Sequence, residues 1–491
     1  MEKQVRTRFA PSPTGYMHIG NLRTALYAYL YAKHSNGKFI LRIEDTDQKR
    51  YVEGATEVIY NTLKKTNLIH DEGPDIGGNF GPYVQSERKD IYKKYALELI
   101  KNGSAYYCFC SQNHDDESEN SEEEQVQSFG YNRHCRNLTK EQIEENLKAG
   151  KPYVIRQKMP LEGTTTFHDE VYGDITFENN SLDDQVLLKS DGMPTYNFAN
   201  VVDDHLMNIT HVMRGKEYIS STPKYELLYR AFGWESPKII HLSTIMGQNE
   251  DGSVSKLSKR HGAVSFEALL GEGYLVEAVI NYLALLGWSP KQEREEFSMQ
   301  ELISLFDETG VVKTNAIFDY KKLDWFNSLY INKLTHEEFL KMSKDYIKVL
   351  PDFIKDKWEF ASTLAQSRIS KFSEIPELFE FLSKYDQNFD LALFENKKNK
   401  LDKAQSLQIL TELKTLLENI NDWSVENLNN LLADYSTQKQ YKIGKTMWPI
   451  RIAVTGQTVT PGGGAEMLYL LGKQESLKRV EICISNLNNN L

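Results

Sequence analysis

The stretch RFAPSPTGYMHIGNLRTALYAYL, Arg8 to Leu30, leaves a short apolar strand, passes through a turn with two prolines, two glycines and a histidine, and enters a helix. On that amphipathic helix Leu22, Ala25, Leu26, Tyr29 and Leu30 fall on one face, and in the KFILRIED that follows Phe39 to Ile43 reads as a buried strand. Strand, helix and strand make a βαβ unit, which needs a right-handed crossover in a parallel sheet. Ligands of such sheets bind at the carboxyl ends of the strands, where this turn lies. Gly15 and Gly20 let backbone come close to a ligand, and a helix starting near Gly20 offers N–H groups and a partial positive charge to a phosphate. His18, at the lip, can donate to a phosphate oxygen as charge develops on it. A plain helix cap with stiffening prolines explains the same residues, and on this turn alone the two readings stand level.

At 491 residues the chain exceeds what one core usually holds, so several domains are expected. Hydrophobic residues are 40% and charged residues 26%, with no apolar run of bilayer length and no basic-then-apolar leader, which points to the cytoplasm and away from membranes. A net charge of −11 argues against indiscriminate coating of nucleic acid, which takes Lys and Arg, but leaves room for a local basic face. The acidic run DDESENSEEE, Asp115 to Glu124, reads as solvated, because so many like charges repel. Four cysteines cannot frame so long a chain, and three of them, Cys108, Cys110 and Cys135, lie close together, which suggests metal chemistry. Cys483 reads as a buried or idle thiol.

A second motif raises the odds of phosphate chemistry. In SVSKLSKRHGAVS, Ser253 to Ser265, a Ser- and Gly-rich loop carries Lys256, Lys259 and Arg260 with few apolar residues. Mobile cations suit a polyphosphate whose charge rises in the transition state. A solvated basic loop is the commoner fate of such a run, yet the two motifs together are far rarer by chance than either alone.

APSPTGYMHIGNLRTAL, LRIEDTD, SDGMPTYNFANVVDDHLM and KLSKRHG closely resemble the bacterial glutamyl-tRNA synthetases, which are class I aminoacyl-tRNA synthetases. His18-Ile19-Gly20-Asn21 and Lys256-Leu257-Ser258-Lys259-Arg260 look like the two signatures of that class, each slightly altered, and the similarity runs the length of the chain. The resemblance implies an α/β N-terminal half, a Rossmann-type parallel sheet with an inserted acceptor-binding domain, followed by an all-α anticodon-binding half. The expected divisions are 1–102 and 190–245 for the two halves of the catalytic fold, 103–189 for the insert, 246–330 for a stem-contact region with the KLSKR loop, and 331–491 for the anticodon domain.

The same resemblance implies two-step, ATP- and Mg2+-dependent attachment of L-glutamate to tRNA-Glu through glutamyl-adenylate, with tRNA-Gln as a second candidate acceptor, by a cytoplasmic monomer. His18 and Lys259 would be catalytic, stabilising the phosphates. Gly20 would leave room for the adenine, with Lys256 and Arg260 completing the ATP site. Arg8 with Tyr196 and Asn200 would hold the glutamate side chain, Arg214 the α-carboxylate, and Glu44 with Ala10 and Ser12 the ammonium. Arginine suits the carboxylates because its planar fork makes paired hydrogen bonds. Without the resemblance, Arg214 would read as a surface ion pair and Tyr196 as a core aromatic. Asp203, Asp204 and His205 read as structural rather than as a metal site. Arg368 falls where the resemblance puts a reader of the first anticodon base, and Lys397, Lys398, Lys400 and Lys403 are weak candidates for phosphate contacts.

Cys108, Cys110 and Cys135 supply three sulfurs for structural Zn2+. The histidine that zinc-binding relatives carry two positions after the last cysteine is Asn137 here. Other relatives use a tyrosine four positions before it, where this chain has Tyr131, so the expected ligands are Cys108, Cys110, Tyr131 and Cys135; His134 is a further candidate, although a ligand adjacent to Cys135 would strain the backbone. Three alternatives are a shortened relative that modifies a tRNA base, a small nucleotidyltransferase and an inactive RNA-binding protein. The helical region after Tyr330, the Lys256 loop and the joint presence of His18, Lys259, Arg8 and Arg214 respectively disfavour them.

Overall fold

The structure, a computed structural model, describes residues 3–47, 49–110, 131–262 and 264–490. The expected acidic loop at Asp115 to Glu124 lies outside them, as does the side chain of Lys259. The chain divides into two compact units, Met1–Gly271 with Val276–Tyr320, and Glu272–Leu275 with Lys321–Leu491.

The first unit is built on parallel strands. Strand β1 (Arg6–Phe9) and strand β2 (Lys38–Leu41) pair from Arg6 opposite Lys38 to Phe9 opposite Leu41, joined by helix α1 (Ile19–His34). Strand His211–Gly215 pairs in parallel with strand Lys238–Leu242. The two pairs meet where the Thr210 amide donates to the Arg6 carbonyl at 2.9 Å and the Arg6 amide donates to Thr210 Oγ1 at 2.8 Å. From there the two neighbours advance together until Arg8 Nη1 donates to the Met213 carbonyl.

The segment inserted between these halves does two things. Strands Ala105–Cys108, Val154–Gln157 and Val186–Leu188 make an antiparallel sheet of their own. Hairpin Thr164–Asp169 and Gly173–Glu178 returns to the parallel sheet, where Asp169 sits opposite Ile239.

Helix α1 departs from the amphipathic reading. Beyond the expected face, Tyr27, Ala28, Tyr31 and Ala32 are buried too. Helices Val276–Leu285 and Met299–Leu305, remote in sequence, cover the side that would have faced water. The Tyr27 hydroxyl donates to the Ala284 carbonyl at 3.1 Å, and even Arg23 is buried, donating to the carbonyls of Leu286 and Ser243. A helix covered on both sides has no polar face for a sequence pattern to reveal.

The second unit is helical among the described residues, as expected. Three of its described α-helices start at side-chain caps, Thr335, Asp402 and Ser424. Thr335 and Glu338 form a capping box, and Asp402 accepts from the Gln405 amide at 2.7 Å. Leu410, Leu413, Leu417, Leu432, Ile450 and Leu468 recur at helical spacing and fill its core. Cys483 is a buried thiol against Tyr385 and the Ala453 carbonyl. No described helix is long and apolar enough to cross a membrane.

Candidate active site

The turn after β1 is fixed from both sides. Its backbone runs along the segment that leaves β2. The Arg42 amide donates to the Phe9 carbonyl at 3.0 Å and the Glu44 amide to the Pro11 carbonyl at 3.0 Å, which sets Ala10 and Ser12 beside Glu44. Gly15 has φ 130, a conformation that a side chain would strain. His18 is the N-cap of α1, and its Nδ1 accepts from the Gly20 amide at 3.0 Å. A neutral ring that accepts at Nδ1 carries its proton on Nε2, so the cap also sets which nitrogen can donate. A Cβ on residue 20 would stand 3.1 Å from that ring nitrogen.

The two signature segments lie together. His18 bridges Ser265, with the Ile19 amide donating to the Val264 carbonyl and the Phe266 amide to the Met17 carbonyl, each at 3.0 Å. The basic motif differs from the mobile loop read in the sequence. Val254–Lys256 is a strand paired with Ile245–Gln248, and Leu257 and Val264 are buried anchors, apolar residues that a count dominated by Ser and Lys obscured. Lys256 is half-buried on this hairpin, and the exposed Arg260 donates to Ser255 Oγ at 2.7 Å.

At the carboxyl ends of β1 and its neighbours sits a buried ionic pocket. Arg8 donates through Nε to Asp204 Oδ1 at 3.1 Å and through Nη2 to Oδ2 at 3.3 Å. Arg42 joins Asp204 at 2.8 Å to Glu44 at 2.9 Å. Asp203 accepts from Arg88 at 2.7 Å, Tyr92 at 2.8 Å and Gln85 at 2.9 Å. Asp203 and Asp204 are thus partners of arginines, in keeping with a structural reading, and His205 stacks on Trp234 with centroids 3.7 Å apart.

Within this pocket two expected residues keep buried polar atoms without a partner among the described residues, Oε2 of Glu44 and Nε and Nη1 of Arg214. Arg214 is no surface ion pair. It lies over the rings of Tyr225 at 4.5 Å and Tyr218 at 5.1 Å. The Tyr196 ring packs against that of Tyr218, tilted by 33° with centroids 5.5 Å apart, and its carbonyl accepts from Asn200 Nδ2. Burial pushes the Glu44 carboxyl from 4.5 to about 7 against the pull of Arg42 and Arg8. Asp204, equally buried, stays below its usual range because Arg8 and Arg42 outweigh that burial.

The sequence reading passed over Arg42, Gln85 and Arg88. For Arg42 a signal exists. In a strand, residues two apart share a face, so Arg42 had to accompany Glu44. It also passed over His241, paired on strand Lys238–Leu242 with the Arg214 position and donating through Nδ1 to Asp169 at 2.7 Å.

The three cysteines converge as well. Cys108, Cys110 and Cys135 hold their sulfurs within 4.8 Å of one another. The Tyr131 hydroxyl lies 3.2 Å from Cys108 Sγ and 3.9 Å from Cys110 Sγ, and accepts from the Cys135 amide at 3.1 Å. His134 is exposed. Burial and the neighbouring thiols raise Cys110 to about 12, while Tyr131, the Cys110 amide and Arg156 hold Cys108 below its usual value against burial. Three sulfurs and a phenol so gathered fit a tetrahedral cation. In the second unit Arg368 is exposed, as are Lys397, Lys398 and Lys400 on the turn closed between Asn396 and Leu401. Lys403 is half-buried.

A parallel sheet, a capped helix start tied to a basic hairpin, and an arginine-carboxylate pocket at the strand ends are together the features of a class I tRNA synthetase. The family described as tRNA synthetases class I (E and Q), catalytic domain, matches residues 4–325, and the family described as anticodon binding domain matches 331–484. The chain is 53% identical to the glutamate–tRNA ligase of Clostridium novyi over 99% of its own length and 98% of the relative's, and 53% identical to that of Clostridium tetani over 99% of each. A glutamate tRNA ligase of Elizabethkingia meningosepticum, solved in complex with its amino acid, superposes with a TM-score of 0.83 at 36% identity, covering 99% of this chain and 100% of that one. The chain belongs to the glutamate–tRNA ligase family.

Proposed function

We propose that the chain attaches L-glutamate to tRNA-Glu at the expense of ATP, by way of glutamyl-adenylate. The observation that carries the reading is the set of buried atoms left without a partner among the described residues in one ionic pocket, Glu44 Oε2 and Nε and Nη1 of Arg214. An α-amino acid brings an ammonium for the first and a carboxylate for the second. Arg8, with Tyr196 and Asn200, takes the side-chain carboxylate, and Ala10 and Ser12 flank the ammonium beside Glu44. The α-carboxylate held by Arg214 then attacks the α-phosphate of ATP, which arrives with Mg2+ on its phosphates. His18 donates from Nε2 to phosphate oxygens, Gly20 leaves room for the adenine, and Lys256, Lys259 and Arg260 meet the polyphosphate charge as pyrophosphate leaves.

Residues 1–102 and 190–245 form the catalytic fold, 103–189 receive the acceptor end, 246–330 contact the stem, and 331–491 read the anticodon with Arg368 at its first base, all in a cytoplasmic monomer. Zn2+ held by Cys108, Cys110, Tyr131 and Cys135 would crosslink the two ends of the intervening segment.

Glutamate-dependent exchange of labelled pyrophosphate into ATP, measured with tRNA present, tests the reading. Lys259→Ala should slow exchange by about 3 kcal/mol of barrier with little change in glutamate affinity. Absence of exchange across tRNA preparations would overturn it. Aminoacylation of purified tRNA-Gln decides whether a second acceptor is charged.

A further inference from the structure

A guanidinium has five N–H donors in one plane. In Arg8, Asp204 takes two of them, on Nε at 3.1 Å and on Nη2 at 3.3 Å, and the Met213 carbonyl takes one on Nη1 at 3.4 Å. Two remain among the described residues, one on each terminal nitrogen. Asp204 is itself immobilised, because Arg42 Nη1 donates to its Oδ1 at 2.8 Å. Arg8, Arg42 and Arg88 face Glu44, Asp203 and Asp204, three cations and three anions, and none of the six is more than 4% exposed. Buried groups cross-linked in this way are held rigidly, and their geometry transmits to whatever the edge of the network touches.

We propose that Asp204 is the positioning residue for amino-acid selection. By occupying the Nε–Nη2 edge it fixes the plane of Arg8 and leaves one donor on each terminal nitrogen for the substrate's side-chain carboxylate. A carboxylate, which only accepts, can satisfy both donors. An amide satisfies one and points its own N–H group at the other, and with the plane fixed Arg8 cannot turn to relieve that contact. Selection of Glu over Gln then depends on Asp204, which does not touch the substrate. This rests on the role given to Arg8 above.

The test measures pyrophosphate exchange with tRNA present, separating KM and kcat for Glu and for Gln, in the unmodified protein, R8Q, D204N, D204E and R8Q/D204N. D204E keeps the charge but displaces the carboxylate. Both D204N and D204E should raise KM for glutamate about tenfold or more and lower the Glu/Gln ratio of kcat/KM by a similar factor, with KM for ATP within about twofold. In the R8Q background D204N should move the ratio by less than about twofold, since a positioning residue has no effect without the group it positions. If D204N does not fold, D204E decides alone. A Glu/Gln ratio in D204E within about twofold of the unmodified protein, while R8Q collapses it, overturns the proposal. An unchanged ratio in R8Q overturns the reading of Arg8 itself, and the proposal with it.

Discussion

Arg42 Nη2 donates to Glu44 Oε1 at 2.9 Å, while the other carboxylate oxygen of Glu44 is buried without a hydrogen-bond partner among the described residues. The carboxyl is therefore half satisfied, and burial lifts it to about 7 despite its cation. An incoming ammonium binds the ionised form, so KM for glutamate should fall as pH rises through about 7. Glu44→Gln should abolish that dependence. Titrating kcat/KM in both proteins checks this, and an identical profile in each removes Glu44 from the ammonium site.

The same group gives a stability prediction. With its carboxyl raised in the fold from 4.5 to about 7, the folded protein binds the proton more tightly than the unfolded chain does. Its contribution is fully present below 4.5 and lost as pH rises through about 7. Glu44→Gln should thus compare more favourably with the unmodified protein at pH about 8 than at pH about 5 in urea unfolding. No dependence on pH would place Glu44 in a solvated site, and the opposite order would mean that Arg42 and Arg8 outweigh its burial.

His18 combines a cap with a phosphate donor, and two substitutions separate these. His18→Asn keeps a good N-cap and should hold the thermal midpoint, while exchange slows about 100-fold. His18→Ala should lose similar activity and about 1 kcal/mol of stability besides. Full exchange activity in the Asn variant would leave His18 as a cap alone.

Arg214 has cation–π support from Tyr225 and Tyr218, and its Nε and Nη1 have no hydrogen-bond partner among the described residues. Arg214→Lys keeps the charge but loses the planar fork, so KM for glutamate should rise by the equivalent of about 1.5 to 3 kcal/mol with KM for ATP little changed. Exchange kinetics over a glutamate series decide it. An unaltered KM would assign the α-carboxylate elsewhere.

Protein purified without chelators should carry about one zinc per chain. Cys135→Ser should lose it, Tyr131→Phe should weaken it, and His134→Ala should leave it alone, since His134 is exposed. Less than about a tenth of that zinc by elemental analysis ends the assignment.

Much of this architecture is legible wherever the period is local. β1, α1 and β2 follow from alternation of two and 3.6 over about forty residues. What covers α1 is not local. Helices Val276–Leu285 and Met299–Leu305 turn its second face inward, and no pattern near Tyr27 or Tyr31 announces them. In the site, Tyr196, Asn200, Asp203 and Asp204 share helix Tyr196–Leu206 at spacings that place them on one side, so their association was readable. Their partners Arg8, Arg42 and Arg88 arrive from elsewhere in the chain, and only the folded structure shows that the two aspartates are committed to arginines rather than open to a metal. For the fourth position of the cysteine cluster the sequence favours Tyr131 over His134, and the fold sets the Tyr131 hydroxyl 3.2 Å from Cys108 Sγ.

Arg8 and Asp204 lie 196 residues apart in sequence, and their bond is made in the interior. On a ribosome, the first of these is exposed long before the second emerges, so the amino-terminal βαβ unit must wait with its cation in water. Burying it early would strand a charge without its counterpart. The pocket therefore closes only after Asp204 has emerged, and contacts of such long range are slow to form. A nascent chain truncated before residue 204 should keep its first strand labile to protease, and lengthening it past Leu242, which completes the neighbouring strands, should bring protection in one step.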